Sequence, residues 1–188
     1  MTLPYALFLG LLAATGLMRL VELAVSRARM KAQPDAVVAE PWLFPAMAVL
    51  HGGLVIAPAL EVWLLQTPFR PWLAIASGAV LVAATALRIW TLRTIGKSWN
   101  VRVVVPEDLE VATTGPYRWI RHPNYLVVIL EIAALPLLHG AWISGLVLTA
   151  VNAVVLYRRI STEEASLSKV PAWREAMADR RRLIPFLF

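Results

Sequence analysis

Residues 115 to 125 read Gly-Pro-Tyr-Arg-Trp-Ile-Arg-His-Pro-Asn-Tyr, a polar and rigid stretch in an otherwise apolar chain. Gly115 tolerates a positive φ and Pro116 has its φ fixed by the ring, so the pair makes a turn. Pro123 suits the first position of a helix, where its missing N–H leaves no bond unmade, with Asn124 and Tyr125 in the first turn. Arg118, Arg121, His122, Asn124 and Tyr125 then gather where an apolar helix begins. The free backbone N–H groups and the positive end of the helix dipole point to the same place, and together they can hold an anion. Arg159, Glu163 and Glu164 form a second polar cluster. Between the clusters lie two apolar runs, Leu126 to Leu138 and Ala141 to Leu156, joined at His139-Gly140. So short a connection brings the clusters together in space. Carboxylates hold ribose hydroxyls or an ammonium group, arginine and backbone N–H groups hold a carboxylate, and aromatic faces hold a cation. The set suits a zwitterionic, cationic, nucleoside-bearing ligand.

Other chemistries lack their residues. There is no cysteine, which excludes disulfides, thiolate metal sites and a cysteine nucleophile. No His-x-x-x-His or Glu-x-x-His spacing marks a metal site. Neither Gly-x-Ser-x-Gly, nor Gly-x-Gly-x-x-Gly, nor a phosphate-binding loop occurs.

The elements that must position these clusters are membrane helices. The chain has 188 residues, enough for one domain, of which 59% are hydrophobic, with a mean hydropathy of +0.66. Soluble domains run about 45–50% apolar, so an integral membrane protein is expected. Eight tryptophans fit the aromatic belts of a bilayer. The net charge of +6 and pI of about 10.3 come from cations flanking apolar runs, which points to cytoplasmic anchoring rather than nucleic acid.

Leu3 to Val25 reads as a first span, with Arg19 and Glu22 three apart on one face near its end. That pair is expected to be interfacial; the alternative is that Glu22 faces inward and supports the site. Arg27, Arg29 and Lys31 follow, and Gln33 to Pro41 is a short linker. Trp42 to Leu65 is a second span, expected to kink at its prolines and glycines, with His51 hydrogen-bonded to a neighbouring helix. Trp72 to Ile95 is a third, whose small residues allow close packing, and Arg88 and Arg93 return it to the cytoplasm. Val101 to Val105 is a short strand or extended segment. The last two apolar runs look short and form a tight hairpin, in which Glu131 must face protein. Ile160 to Met177 reads as an amphipathic surface helix interrupted at Pro171. Arg180 to Arg182 reads as a basic cluster ahead of an apolar tail that dips into the interface. The fold class is thus all-α integral membrane, with about five transmembrane helices, a cytoplasmic cofactor site and a C-terminal amphipathic helix. It forms a single domain over 1–188: three N-terminal spans in 1–95 and a cofactor-binding core in 96–188. The N-terminus is expected outside and the C-terminus inside.

The 115–125 motif, the apolar hairpin and then Arg159, Glu163, Glu164 and Leu167 resemble the isoprenylcysteine carboxyl methyltransferase family, integral membrane enzymes that use S-adenosylmethionine. Arg19-Leu-Val-Glu-Leu23 and Leu87-Arg-Ile-Trp90 look like its bacterial branch. The resemblance implies that Tyr117, His122, Pro123, Asn124 and Tyr125 line the S-adenosylmethionine pocket. It implies that Glu163 supplies a carboxylate contact, that the Glu110 to Ala112 segment adds backbone contacts, and that Arg159 is the catalytic residue facing the acceptor. The family's animal members carry Ser where this chain has Asn124. Some bacterial relatives O-methylate alkylpyrones or alkylresorcinols, and others methylate small thiols. The implied reaction is methyl transfer to a carboxylate or an enol or phenol hydroxyl of a lipophilic acceptor at a bacterial inner membrane. His122 either binds cofactor or acts as a base. Sterol reductases carry a string similar to Arg121-His-Pro-Asn-Tyr125. The alternatives are therefore an NADPH-dependent membrane reductase, with Arg102, Arg118 and Arg121 on the extra phosphate, or a scaffold whose Arg180 to Arg182 bind anionic lipid.

Overall fold

The computed structural model describes residues 2–31, 37–38, 43–96, 99–101, 104–105 and 111–184. Among the described residues six α-helices carry the fold: α1 (Leu3–Lys31), α2 (Leu43–Leu65), α3 (Pro71–Ile95), α4 (Pro123–Leu137), α5 (Trp142–Leu167) and α6 (Pro171–Met177). Strands β1 (Val37–Val38) and β2 (Val104–Val105) form a two-residue antiparallel ladder, so part of the Val101 to Val105 run is a strand. Residues 115–118 form a single 3-10 turn ahead of α4. The protein is an integral membrane protein: α1, α2, α3 and α5 are long and apolar enough to cross a bilayer. Their outer faces carry exposed large apolar groups such as Leu7, Val49, Ile75 and Val154, which lipid would cover.

Proline positions several of these starts. Pro71, Pro123 and Pro171 each stand in the first turn of a helix, where no donor is lost. Elsewhere α2 passes through Pro58 without ending, whereas α4 ends one residue after Pro136. Helix α4 packs between α3 and α5, α5 also lies against α2, and α2 against α1. The main core joins Phe8 and Leu12, Leu50 and Leu54, and Ile132 and Leu135. At Gly53 an added Cβ would meet the Leu148 side chain at 3.3 Å, so glycine sets the approach of α2 to α5. Glu61 of α2 accepts from the backbone N–H groups of Ile143 and Ser144 at 3.0 and 2.6 Å. A carboxylate there satisfies orphan donors and meets the positive end of the α5 dipole.

Three expectations change. The last two apolar runs are not both short: α4 has 15 residues, about 22 Å at 1.5 Å per residue, whereas α5 has 26. No proline or glycine stands between Leu146 and Leu167, so the helix runs on through Arg158 and Arg159. Ile160 to Leu167 is therefore the end of α5 rather than a surface helix, and only Pro171–Met177 forms a separate α6. The Arg19–Glu22 pair is real but not interfacial. Arg19 bonds Glu22 and Glu131, each at 2.6 Å, and Arg88 bonds Glu22 at 2.5 Å and Glu131 at 2.7 Å. Two cations and two anions close a neutral ring among α1, α3 and α4. Arg88, expected with Arg93 to mark the return of α3 to the cytoplasm, is 5% exposed. Most of the Gln33 to Pro41 linker, Trp42, Arg102, Glu110 and the 185–188 tail lie outside the described residues.

Candidate active site

The site forms where the starts of the 3-10 turn and α4 meet the end of α5. Gly115 has φ of +55°, and a Cβ on it would collide with Thr94 Oγ1 and meet Trp90 Nε1 at 3.1 Å. Glycine is thus required both for the backbone turn and for its seat on α3. The turn buries Pro116 and Tyr117, and His122 precedes α4 as its N-cap residue.

Tyr125 donates its hydroxyl to Glu163 and accepts from Arg159 Nε at 2.8 Å. Arg159 also donates to the Val101 carbonyl. Residues 99–101 are in turn tied to α1: Arg29 donates to Trp99 O at 2.6 Å and Ser26 Oγ to Asn100 Oδ1 at 2.5 Å. His122 stacks on Tyr125 with ring centroids 5.3 Å apart. Its Nε2 lies 3.1 Å from Glu164 and its Nδ1 3.8 Å from Glu163. The two adjacent glutamates therefore differ. Glu164 also pairs with Arg121 at 3.2 Å and Arg182 at 2.8 Å, so its charge is answered by protein. Glu163 is the freer of the two. Burial, aided by the Glu163 charge, pushes the Tyr117 hydroxyl above the usual tyrosine range, so it remains a neutral donor.

A segment after α6 closes over these groups. Arg121 N–H donates to Arg181 O at 2.8 Å and His122 N–H to Arg182 O at 3.0 Å, while Arg180 donates to the Tyr117 carbonyl at 2.6 Å. Arg121 further reaches the carbonyls of Met177 and Ala178 at 3.1 and 3.2 Å. Arg180 and Arg182 thus fasten the site rather than forming a free lipid-binding surface, which corrects the reading of that cluster. The same contacts weigh against the phosphate-binding role considered for the arginines. Nε, Nη1 and Nη2 of Arg121 are all engaged, and Arg118 lies 4.8 Å over the Trp119 ring.

A cavity of about 530 Å³ opens at this cluster and runs inward between α1, α2, α3 and α4. That volume falls in the range of about 300–1,000 Å³ typical of small-molecule sites. Of the residues expected from the sequence, Tyr117, His122, Asn124, Tyr125, Arg159 and Glu163 line it. Pro123 does not line it; it is buried and starts α4. Val111 and Ala112 line it as well. Two buried polar atoms at the mouth, Asn124 Oδ1 and Trp99 Nε1, have no partner among the described residues. One acceptor and one donor left over at the polar mouth of the cavity fit a ligand rich in amine, hydroxyl and carboxylate groups.

The sequence reading missed Trp173 and Met177 of α6, which also line the cavity, and the link from α1 through residues 99–101 to Arg159. A signal existed for α6 in Pro171, which opens a helix that the short Ser168–Val170 connection returns toward the mouth. His51 was expected to bond a neighbouring helix. Its Nδ1 instead lies 2.8 Å from Met47 O, one turn back on α2.

Comparison with known proteins bears on the family of the chain. Residues 75–169 match the model of the Isoprenylcysteine carboxyl methyltransferase (ICMT) family, from within α3 to just past α5. The chain is also similar to "Uncharacterized protein YpbQ" of Bacillus subtilis (strain 168), at 34% identity over 167 residues, covering 87% of this chain and 98% of that protein. The matched region spans half of the chain and contains the 115–125 motif, Arg159 and both glutamates: the protein belongs to the isoprenylcysteine carboxyl methyltransferase family of membrane methyltransferases.

Proposed function

We propose that the protein transfers a methyl group from S-adenosylmethionine to an oxygen of a lipophilic acceptor, either a carboxylate or an enol or phenol hydroxyl. The observation that carries this reading is the Glu163–Tyr125–Arg159 chain at the mouth of a cavity that continues among apolar helices. Bound S-adenosylmethionine supplies an electrophilic methyl on a sulfonium. The protein's part is then to position two partners and exclude water. Glu163, with charge left to share, meets an ammonium or ribose hydroxyls. Asn124 Oδ1 accepts, and Tyr117 donates as a neutral phenol. His122 lies between Glu163 and Glu164, which favours an orienting and binding role over that of a base.

Arg159 faces the acceptor. Its Nε and one terminal nitrogen are held by Tyr125 and Val101, which fixes the guanidinium plane and leaves Nη1 to orient an acceptor oxyanion. Arg27, Arg29, Lys31 and Arg158 lie at the same end of the bundle as the mouth, which supports a cytoplasmic site in a bacterial inner membrane.

Calorimetric titration of detergent-purified protein with S-adenosylhomocysteine tests the reading, with NADPH run in parallel. Saturable binding of the former, lost in Glu163→Ala, is expected. Binding of NADPH alone, or undiminished affinity in Glu163→Ala, overturns it.

A further inference from the structure

Helix α1 carries Arg19, Glu22, Ser26 and Arg29 at spacings of three, four and three, so all four fall on one of its faces. The first two belong to the ion-pair ring. The last two reach the segment that leads toward the site. Ser26 is 2% exposed, and its hydroxyl donates to Asn100 Oδ1 at 2.5 Å and accepts from the Val101 N–H at 3.3 Å. Arg29 donates to the carbonyls of Trp99 at 2.6 Å and Gly96 at 3.2 Å, and its guanidinium lies 5.7 Å from the centre of the Trp99 ring. Residues 99–101 stand in no helix or strand. Three consecutive residues there take their position from side chains of α1.

Val101 joins α1 to the site. Its N–H is held by Ser26, and its carbonyl accepts from Arg159 Nη2. Tyr125 holds Arg159 Nε at 2.8 Å. With both atoms held, a flip about the Cζ–Nε bond, which exchanges Nη1 and Nη2, has to break the bond to Val101. Were Val101 free to drift, the bond at Nε alone would leave the guanidinium plane free to tilt. The cofactor side is held from elsewhere: Glu163 by Tyr125, and His122 by Glu164 and the Arg182 carbonyl.

Resting on the methyl-transfer reading, we propose that Ser26 is a positioning residue for the acceptor half of the reaction. By fixing Val101 it sets the plane of Arg159, and with it the direction of Nη1, the donor left for the acceptor oxygen. Ser26 does not line the cavity, so it acts through Val101 and Arg159 rather than on the reacting atoms. In-line displacement is sensitive to such aim: a misplacement of about 1 Å can cost about a hundredfold in rate.

The test reads Arg159 directly, by nuclear magnetic resonance of the full chain carrying isotope-labelled arginine in lipid nanodiscs. Its signals are assigned by their absence in Arg159→Lys. Native protein is expected to show separate Nη1 and Nη2 signals. In Ser26→Ala their exchange quickens about tenfold, the size of one lost hydrogen bond, and the two signals merge, while S-adenosylhomocysteine affinity is unchanged. Ser26→Thr, which keeps the hydroxyl, restores the separation. Merged signals in native protein, separate signals in Ser26→Ala, or equal merging in Ser26→Ala and Ser26→Thr overturns the proposal. So does a loss of S-adenosylhomocysteine affinity in Ser26→Ala, which marks a general loosening of the site. The Arg159 signals are read without turnover, so they stand apart from the larger reading, which falls if the native protein does not bind S-adenosylhomocysteine.

Discussion

Tyr125 donates a hydrogen bond from its hydroxyl to Glu163, a residue one helical hairpin away in the chain, and so ties the start of α4 to the end of α5. The same oxygen accepts from Arg159, so one phenol sets the position of both charged groups. Tyr125→Phe keeps the ring and its stack on His122 but leaves Glu163 and Arg159 without their shared partner. S-adenosylhomocysteine affinity is expected to fall about tenfold, with a loss of about 1–3 kcal/mol in stability. Calorimetry and thermal unfolding on the same sample check both.

The neighbouring glutamates are expected to separate by phenotype. Glu164→Gln weakens the pairing with Arg121 and Arg182, so the 180–182 segment loosens. Limited trypsin digestion should then cut faster at Arg180 to Arg182 than in native protein, and the thermal midpoint should drop. Glu163→Gln should leave the digestion pattern and midpoint near native while weakening S-adenosylhomocysteine binding.

The ring of Arg19, Glu22, Arg88 and Glu131 sets up a test by subtraction and by replacement. Glu131→Gln leaves two buried guanidinium groups with one full carboxylate between them, and a loss of about 3–5 kcal/mol is expected. Replacing all four with Met and Leu removes the imbalance together with the burial cost, so that variant should unfold at a higher temperature than Glu131→Gln. Thermal unfolding of both in one detergent makes the comparison.

Gly115→Ala puts a methyl group where Thr94 Oγ1 stands and demands a left-handed backbone of a non-glycine residue. The conformational part alone costs about 1–2 kcal/mol. Thr94→Ala in the same chain should restore only the steric part, so the double variant should fall between Gly115→Ala and native protein in thermal unfolding.

Much of the site was legible because its signals are local. Gly115-Pro116 and Pro123 fix a turn and a helix start through φ alone, and a short hairpin brings Glu163 back to Tyr125. Two things were hidden for different physical reasons. Arg19 read as interfacial, and Arg88 as marking the return to the cytoplasm, because long cationic side chains near a span's end usually reach water. Their partner Glu131 is remote in sequence, so nothing local marked the ring. Arg180 to Arg182 read as a lipid anchor because a charge run does not name its partners, which are the Tyr117 carbonyl for Arg180 and Glu164, 18 residues earlier, for Arg182. Helix α5 was cut short because Arg158 and Arg159 looked like a membrane boundary. Charge does not end a helix; the first proline after them is Pro171.

The backbone bonds from Arg121 and His122 to Arg181 and Arg182 also set an order of events in the cell. All the long apolar helices leave the ribosome before residues 180–182 do. Closure of the pocket therefore waits on residues 180–182, and a nascent chain arrested just after α5 would hold its motif still unclasped. The clasp on the 115–125 motif is therefore made only after α5 has been synthesised.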